Sequence, residues 1–322
     1  MKRSNRKILI TGGAGYVGQN LISFFLKDKW NIYVIDNLST SRPLNKKIKN
    51  RINFYKIDLT KEEKVKTFFR KRNFDLIIHL AAFSGVQEFN KNFLKNFNNN
   101  VLATKNLIRF GFNKKYTKLI FASSAAVYGN ISRDKVKVDE NTQCNPVNYY
   151  GLSKYTCENI IQNQLDNKKI HYAILRYFNV VGTIVEFKVE KKIHSLLDII
   201  SNNIKKNKYE VNINGNNLNT KDGTPERDFI HIHDLCRIHK KIYFYLNKNK
   251  KATFNCGSGV KYSVLQIVRK FEKSINQKFR ISYKNNNPNE TQTICSNINL
   301  LKKLLKINIK KNKISDFIKD YL

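Results

Sequence analysis

The segment from Gly12 to Gly18 constrains the fold of this chain more than any other. It reads Gly-Gly-Ala-Gly-Tyr-Val-Gly, directly follows the apolar stretch KILIT, and precedes apolar residues at helical spacing. Glycines at such a turn let the backbone bend tightly, and they let a pyrophosphate approach the unpaired N–H groups of a helix N-terminus. The pattern therefore predicts a strand, a dinucleotide-binding turn and a helix from Gly18 to Lys27.

An aspartate at the end of the next apolar stretch indicates which dinucleotide binds. NIYVID ends at Asp36, 18 residues after Gly18. A carboxylate at this position accepts hydrogen bonds from the adenosine ribose hydroxyls. It would also repel the additional phosphate of NADP, so the sequence favours NAD.

Short apolar stretches alternate with helical ones along the first half of the chain. DLIIHLAA, KLIFASS and HYAILRYFN read as further strands, and this alternation is typical of an α/β fold with a doubly wound parallel sheet. The alternation breaks in residues 181–228, which are rich in Asn and Lys. We predict a Rossmann domain over 1–180, to which 229–258 return, and a smaller substrate-binding lobe formed by 181–228 and 259–322.

The charge balance is strongly basic, with 60 Lys and Arg against 24 Asp and Glu, a formal net charge of +36. Binding to nucleic acid would be one explanation. The lysines are nevertheless spread over nearly every segment, usually beside Asn, as is typical of solvated surface. We expect no specific nucleic-acid partner, although the charge would attract an anionic substrate.

Cysteine usage and hydropathy exclude two further classes. The five cysteines are odd in number, scattered and without CxxC spacing, so a disulfide framework or a zinc site is not expected and a reducing cytoplasm fits. No apolar run approaches the roughly 18 residues that a membrane span requires.

A tyrosine and a lysine four residues apart suggest the chemistry. Tyr150 and Lys154 would share one face of a helix. A tyrosine with an ordinary pKa near 10 is a poor base at neutral pH, and a nearby ammonium lowers that pKa by stabilising the phenolate. Tyr149 competes for the role, but the residue four positions after it is Ser153, so Tyr150 is the better candidate.

The YxxxK pattern alone is common, and a surface Tyr–Lys pair is the alternative interpretation. Two serines support the catalytic interpretation of the pattern. Ser123 and Ser124 end the predicted strand KLIFASS, at the edge where open parallel sheets bind ligands.

These motifs together resemble the extended short-chain dehydrogenase/reductases, and four further segments narrow the resemblance to the UDP-glucose 4-epimerase family. The resemblance extends from residue 7 to about 305, nearly the whole chain. The segments are FASSAAVYG from Phe121, LRYFNVVG from Leu175, TKDGTPERDFIHIHDL from Thr220, and FNCGSGVKYSV from Phe254.

The resemblance implies a role for residues at matching positions. Ser124 would be the catalytic serine, Tyr150 the acid/base and Lys154 its activator. The residues implied to bind NAD are Gly12, Gly15, Tyr16, Val17, Gly18, Asp36, Asn37, Asp58, Leu59, Leu80, Ala81, Ala82, Asn100, Tyr150, Lys154 and Phe178. The residues implied to bind the UDP-sugar are Ser124, Tyr150, Asn179, His194, Arg227 and Ile294.

The implied reaction reverses the hydroxyl at C4 of a UDP-hexose. Tyr150 would take the proton of the 4-hydroxyl while the C4 hydride passes to the nicotinamide. The 4-keto sugar would then turn about its anchored diphosphate and take the hydride back on its other face. UDP-glucose and UDP-galactose are the expected pair, epimerisation of UDP-N-acetylglucosamine or UDP-glucuronate remains open, and a homodimer is expected.

One position beside the sugar 2-substituent acts as a size gate in the resembled family. Counting from Glu290 places it at Ile294, and a slip of one residue would place it at Cys295. Isoleucine is smaller than the tyrosine that excludes an N-acetyl group, so partial admission is expected. The alternative is that Ile294 is an ordinary buried strand residue.

The chain departs from the family pattern at three places. Ser84 stands where many members have lysine, and Ala126 replaces a common threonine beside the sugar. Asn287 stands where an arginine normally binds the diphosphate, and Lys284 is a candidate to compensate.

Rival interpretations rest on other residues. Nucleotide-sugar dehydratases and decarboxylases of the same scaffold carry an acid after the serine or threonine, whereas this chain has Ala125 and Ala126. A non-catalytic NAD-binding protein would not need the set Ser124, Tyr150 and Lys154. His231 and His233 flank Ile232 without an accompanying carboxylate–histidine cluster, so no metal site is expected.

Overall fold

The computed structural model describes residues 6–322 except 42, 85–88, 90–91, 113–115, 132–136, 185–194, 286–290 and 311–312. The predictions for His194 and Asn287 therefore lie outside the described residues. The strands are β1 Lys7–Thr11, β2 Asn31–Asp36, β3 Asn53–Lys56, β4 Leu76–His79, β5 Lys118–Ser124, β6 Tyr172–Tyr177, β7 Asn179–Val181, β8 Glu210–Asn214, β9 Glu226–His231, β10 Lys251–Cys256, β11 Lys261–Ser263, β12 Arg280–Lys284 and β13 Thr293–Ile294. The α-helices are α1 Tyr16–Lys27, α2 Lys46–Lys49, α3 Glu62–Arg70, α4 Phe93–Phe110, α5 Tyr149–Asn167, α6 Leu196–Lys205, α7 Ile232–Tyr245, α8 Val264–Ile275, α9 Asn299–Leu305 and α10 Ile314–Ile318.

Seven parallel strands form the central sheet in the order β10-β6-β5-β4-β1-β2-β3. The inner strands β1, β4, β5 and β6 are largely apolar and buried, because both of their faces are covered. Along β1, Ile8 and Ile10 pack on the side of α1 and α7, whereas Leu9 packs on the side of α3, α4 and α5. Helices on both faces confirm the predicted doubly wound fold.

Two predicted strands are longer than the observed ones. Of HYAILRYFN, the strand β6 takes only Tyr172–Tyr177, and Asn179 begins β7 in the small sheet. Of DLIIHLAA, the strand β4 takes only Leu76–His79. The chain then bends around the first turn, because Leu80 N donates to the carbonyl of Thr11 at 3.1 Å and Ala81 N donates to its hydroxyl at 3.3 Å. This bend brings Ala81 against Gly12.

The second half of the chain adds a smaller lobe. The strands β7, β11 and β13 pair with β9, and β8 pairs with β12. A separate apolar cluster joins α6, α8 and α10, with Phe317, Ile318 and Tyr321 buried in it. β10 returns to the central sheet beside β6, although the exact domain limits stay a prediction.

Within the described part of the chain, no helix is both long enough and apolar enough to cross a bilayer.

Candidate active site

Glycines let the turn between β1 and α1 pack tightly against neighbouring backbone. Gly12 has a φ of +69°, and a Cβ at this position would lie 2.7 Å from the backbone nitrogen of Ala81. A Cβ on Gly18 would lie 2.5 Å from the Cα of Gly13. Among the described residues, no side chain caps α1 at Gly15. The turn therefore fits the pyrophosphate of a dinucleotide, which its N–H groups and the helix dipole would stabilise.

Asp36 lies beside this turn at the end of β2. Its carboxylate accepts the N–H of Ala14 at 2.9 Å and the N–H of Leu38 at 2.8 Å. Burial raises the pKa of Asp36, and these two hydrogen bonds oppose the shift. A carboxylate offers about four lone pairs, so the oriented group can still accept ribose hydroxyls.

Asn37, Asp58 and Leu59, which the sequence predicts to bind NAD, lie after β2 and after β3. Burial works against ionisation of Asp58, but hydrogen bonds from Thr60 and Asn37 outweigh it and hold the pKa of Asp58 below its ordinary value. Leu59 is buried, and its carbonyl accepts the amide of Asn106 at 2.9 Å. The structure thus brings Asn37 and Asp58, two of the residues implied to bind NAD, into contact.

Tyr16 and Val17 begin α1, but the hydroxyl of Tyr16 has a protein partner. It donates to the carbonyl of Gly182 at 2.5 Å. This bond ties the phosphate-binding turn to the start of the smaller lobe, whereas Val17 packs against the core beneath the turn. The two residues therefore shape the site in different ways.

Asn100 is buried on α4 and positions two parts of the site. Its amide accepts the N–H of Phe83 at 2.8 Å and donates to the Phe83 carbonyl at 3.2 Å. It also donates to the hydroxyl of Ser153 at 3.1 Å. These contacts fix the segment that contains Leu80 to Ala82 relative to α5.

Tyr150, Lys154 and Ser124 meet where β5 ends and α5 begins. Ser124 is the last residue of β5, and its side chain hydrogen-bonds Tyr150. Asn148 caps α5 by accepting the N–H of Gly151 at 2.8 Å, which sets the first turn of the helix. The structure therefore brings the three predicted catalytic residues into one site.

The two neighbouring tyrosines are in different environments. Tyr150 is half-buried and hydrogen-bonds Ser124. Tyr149 is 44% exposed and stacks on Phe93, with ring centroids 4.2 Å apart. Only Tyr150 is placed to act with the serine.

Burial affects the ionisation of both catalytic partners. It raises the pKa of Tyr150, and the hydrogen bond from Ser124 opposes that shift. Burial also lowers the pKa of Lys154 to about 8, opposed by Cys157 and Glu158. The ammonium donates to the carbonyl of Ala122 at 2.7 Å, so in this structure it contacts the end of β5 and not the phenol.

Asn179 lies on β7 and Arg227 on β9 of the small sheet, and β7 begins two residues after β6 ends. Asn179 is exposed, and its amide donates to the carbonyl of Asp228 at 3.2 Å. Arg227 donates to the carbonyl of Gln292 at 2.9 Å and lies opposite Ile294 in the register. Two of the predicted diphosphate-binding groups therefore share one sheet.

Asp228 holds the loops around this sheet in place. It accepts the N–H groups of Ser258 at 2.7 Å, Gly259 at 3.0 Å and Ser296 at 3.0 Å. Sequence reasoning missed this role, although an aspartate directly after Arg227 in a buried strand is a signal for it.

Ile294 is buried in an apolar cluster that includes Ala125 and Phe178. Ala125 directly follows Ser124, and Phe178 directly precedes Asn179. The cluster therefore joins Ile294 of the small sheet to the segment after the predicted catalytic serine. Cys295, the alternative position for the size gate, is also buried. The assignment of the gate to Ile294 stays a prediction.

His231, the last residue of β9, and His233, in the first turn of α7, both have structural partners. His231 is buried, and its Nε2 hydrogen-bonds the carboxylate of Asp320 at 2.7 Å. His233 packs edge-on against Phe24. Within the described ranges, no group of three or more His, Cys, Asp or Glu residues is arranged to hold a metal ion.

Known proteins resemble this chain over most of its length. The model of the NAD-dependent epimerase/dehydratase family matches residues 8–257. The UDP-glucose 4-epimerase of Mycoplasma genitalium is 35% identical over 274 residues, 81% of this chain and 79% of that protein. The UDP-glucose 4-epimerase of Drosophila melanogaster is 30% identical over 290 residues, 84% and 83% of the two chains.

Two solved structures share the fold almost completely. The UDP-glucose 4-epimerase of Bifidobacterium longum, in complex with NAD⁺ and UDP, has a TM-score of 0.90 and 26% identity, and the match covers 98% of this chain and 97% of that one. The UDP-Glc/GlcNAc 4-epimerase of Campylobacter jejuni has a TM-score of 0.82 and 30% identity, with 98% of each chain covered.

Proposed function

Because the chain belongs to the UDP-glucose 4-epimerase family of NAD-dependent epimerases, we propose that it interconverts UDP-glucose and UDP-galactose through a transient 4-keto sugar. It is an NAD-dependent isomerase. The observation that carries the substrate proposal is the placement of the bonded pair Tyr150 and Ser124. This pair lies at the edge of the central sheet where the phosphate-binding turn is also found, and the small sheet with Asn179 and Arg227 is reached through β7, which begins two residues after β6 ends.

Bound NAD⁺ supplies the acceptor for the C4 hydride and returns that hydride to the opposite face of the sugar. Tyr150 takes the proton of the 4-hydroxyl and gives it back, and Ser124 shares the hydrogen bond. Asn179 and Arg227 hold the diphosphate, so the sugar can turn about a fixed anchor. Holding the reacting groups in place in this way contributes much of the rate.

A panel of UDP-sugars tests the proposal. The purified protein is incubated with UDP-glucose, UDP-galactose, their N-acetylated counterparts and UDP-glucuronate, and the products are separated. We expect UDP-glucose and UDP-galactose to interconvert to the same equilibrium mixture from either side. Turnover of neither member of this pair would contradict the proposal.

We propose the N-acetylated pair as a second, slower substrate, because the buried residue at the predicted gate is Ile294 and not an aromatic one. The similarity to the Campylobacter jejuni UDP-Glc/GlcNAc 4-epimerase supports this extension.

If Ile294 is the size gate, a larger residue at this position should change the substrate preference. Ile294→Tyr should lower kcat/KM for UDP-N-acetylgalactosamine relative to UDP-galactose by about 10-fold or more, since a bulkier side chain fills the space beside the 2-substituent. The measurement is kcat/KM for both substrates. Ile294→Val is the control and should leave the ratio unchanged or raise it. If the tyrosine variant keeps the wild-type ratio, Ile294 is not the gate.

Asp36 predicts the cofactor preference. The cofactor released on denaturing the purified protein should be NAD, because the Asp36 carboxylate repels the 2′-phosphate of NADP. Asp36→Asn should reduce the preference for NAD over NADP by at least about 10-fold, since a like-charge contact costs several kcal/mol. Asp58→Asn is the control, because Thr60 already hydrogen-bonds that carboxylate at 2.9 Å. NADP as the main released cofactor would contradict the prediction.

A dehydratase would need a proton-transferring acid after the serine. Here the short helical turn Ala125–Val127 follows Ser124, and it offers no such group. The product panel separates the two reactions, because dehydration would accumulate a 4-keto-6-deoxy sugar that epimerisation does not form.

We also propose that the protein is a homodimer. The packed helices α4 and α5 expose Leu94 by 63%, Leu102 by 41% and Leu152 by 41%. A second copy of this face would remove these side chains from water, which is the usual reason for exposed apolar patches. Sedimentation of the wild type and of Leu102→Asp measures the oligomeric state, and a monomeric wild type would contradict the proposal.

A cytoplasmic location and the lack of a specific nucleic-acid partner complete the proposal. All five cysteines are free thiols in the structure, which fits a reducing compartment. Binding of DNA or RNA should show the salt dependence of any basic protein. A DNA or RNA sequence bound a thousandfold more tightly than nonspecific nucleic acid, which is the range of specific recognition, would contradict the expected lack of a specific nucleic-acid partner.

A further inference from the structure

Three side chains of α5 hold three successive residues at the end of β5. Lys154 donates to the carbonyl of Ala122 at 2.7 Å. Glu158 accepts the hydroxyl of Ser123. Tyr150 hydrogen-bonds Ser124. Because the three side chains stand four residues apart, they share one helix face, and together they set how this face aligns with the strand.

An ion pair fixes the middle one of these contacts. Arg176 on β6 donates through Nε to Glu158 Oε1 at 3.1 Å and through Nη2 to Glu158 Oε2 at 2.8 Å. Arg176 lies beside Ser123 in the parallel register. The side chains of Glu158 and Arg176 are only 1% and 7% exposed, so a bidentate pair of this kind holds the carboxylate in one orientation.

The ion pair is itself held by a buried network. Arg176 Nη1 donates to the hydroxyl of Tyr128 at 3.0 Å and to the carbonyl of Glu140 at 3.2 Å. Tyr128 donates to the amide of Asn255 at 2.7 Å. Tyr128 and Asn255 are buried, and satisfied networks in a low-dielectric interior are rigid. Glu158 therefore has little freedom to leave the end of β5.

The carboxylate also has an electrostatic effect on the site. Burial lowers the pKa of Lys154 to about 8, and Glu158 is one of the two groups that oppose the shift. Without this negative charge the buried ammonium would lose more of its protons at neutral pH.

The other titratable groups near Lys154 do not change charge at neutral pH. His79 on β4 is neutral, because burial and Lys154 lower its pKa to about 3. Burial raises the pKa values of Cys157 on α5 and of Tyr177 on β6, so both stay protonated. Arg176 on β6 stays charged, since its hydrogen bonds and charge contact with Glu158 outweigh burial and raise its pKa.

We propose that Glu158 is a positioning residue for the reaction, which aligns Ser124 and Tyr150 by anchoring α5 to the end of β5 and keeps Lys154 charged. The inference rests on the proposed function only for its kinetic readout. It assigns Glu158 a role through Ser123 and Lys154, and not through contact with the sugar.

The charge effect is tested with Glu158→Gln, which keeps the shape of the side chain but removes its negative charge. The Cε resonance that disappears in Lys154→Met identifies Lys154 in the NMR spectrum, and its pH titration gives the pKa of the ammonium without any substrate. We expect this pKa to fall by about one unit in Glu158→Gln. The alkaline limb of the kcat/KM profile should move to lower pH by the same amount. An unchanged or raised pKa of Lys154 would overturn the electrostatic role.

The anchoring effect is tested with two milder variants, so the proposal remains testable if Glu158→Gln does not fold. Ser123→Ala removes the hydroxyl that Glu158 accepts, and Glu158→Asp keeps the charge but shortens the side chain. Both should lower kcat by about 10-fold through misalignment, with the KM for UDP-galactose and the pH profile unchanged. Wild-type kcat in both variants would overturn the anchoring role.

Glu272→Gln is the matched control. Glu272 is also buried and pairs with Arg269 at 2.8 Å, but on α8 in the smaller lobe. Its loss should leave the pKa of Lys154 and the kcat unchanged. If the wild type epimerises no UDP-sugar, the proposed function fails, whereas the NMR titration still decides whether Glu158 supports the charge of Lys154.

Discussion

Replacing Tyr150 by phenylalanine should cut epimerase turnover by about 10²–10⁴-fold, the usual range for the loss of a general acid/base, and should leave NAD bound. In the proposed mechanism the Tyr150 hydroxyl exchanges a proton with the sugar, and it hydrogen-bonds Ser124. The ring itself packs edge-on against Phe89, with centroids 5.8 Å apart, and phenylalanine keeps this packing. The measurement is kcat with UDP-galactose, together with the NAD content of the purified variant.

The neighbouring tyrosine gives a matched control for this prediction. Tyr149 is half-exposed and stacks on Phe93, so Tyr149→Phe should keep wild-type turnover. If Tyr150→Phe retains near-normal kcat, or if Tyr149→Phe loses as much, the assignment of the acid/base is wrong.

Replacing Lys154 by methionine should lower turnover by about 10²-fold or more and move the pH optimum upward. Burial raises the pKa of Tyr150. Without a nearby ammonium the phenolate is less stable, so a higher pH is needed to form it. The measurement is kcat/KM for UDP-galactose as a function of pH.

The pH dependence of wild-type activity should also reflect Lys154, because burial lowers the pKa of this residue to about 8. The ammonium predominates below this pH and is lost above it, so wild-type activity should fall as the pH rises past 8. Lys154→Met has no ammonium to lose and should not show this fall. Lys168→Met is the control, since that ammonium donates to the Ile108 carbonyl at 3.1 Å at the far end of α5. An unchanged pH optimum in Lys154→Met would contradict the activating role.

The strongest predictions from the sequence concern features that a short stretch of chain determines. The glycine turn and Asp36 predicted the first strand, helix and second strand, because backbone freedom and hydrophobic periodicity act over a few residues. The observed helix begins at Tyr16, two residues before the predicted start at Gly18. Gly15 is already the N-cap residue, so helical geometry begins directly after it. Choosing Tyr150 over Tyr149 needed only the spacing to Lys154.

The sequence could not predict the partners that distant segments supply. Glu158 stands one helical turn after Lys154, and Arg176 is a charged residue within the apolar stretch LRYF. Both residues can be recognised in the sequence, but no neighbouring residue indicates that their side chains form an ion pair. The pairing depends on the position of β6 beside β5 and on how α5 packs over them.

By itself, the sequence determined the family and the cofactor and predicted a catalytic set, because these depend on contiguous motifs whose chemistry follows from residue type and spacing. Only the tertiary structure decided that Lys154 contacts the Ala122 carbonyl, that Tyr16 donates to Gly182, and that Ile294 of the small sheet packs in one cluster with Ala125. The physical reason is that a buried polar group must find its partner within hydrogen-bond distance. Which atoms lie at that distance depends on strand order and packing, and not on neighbours in the chain.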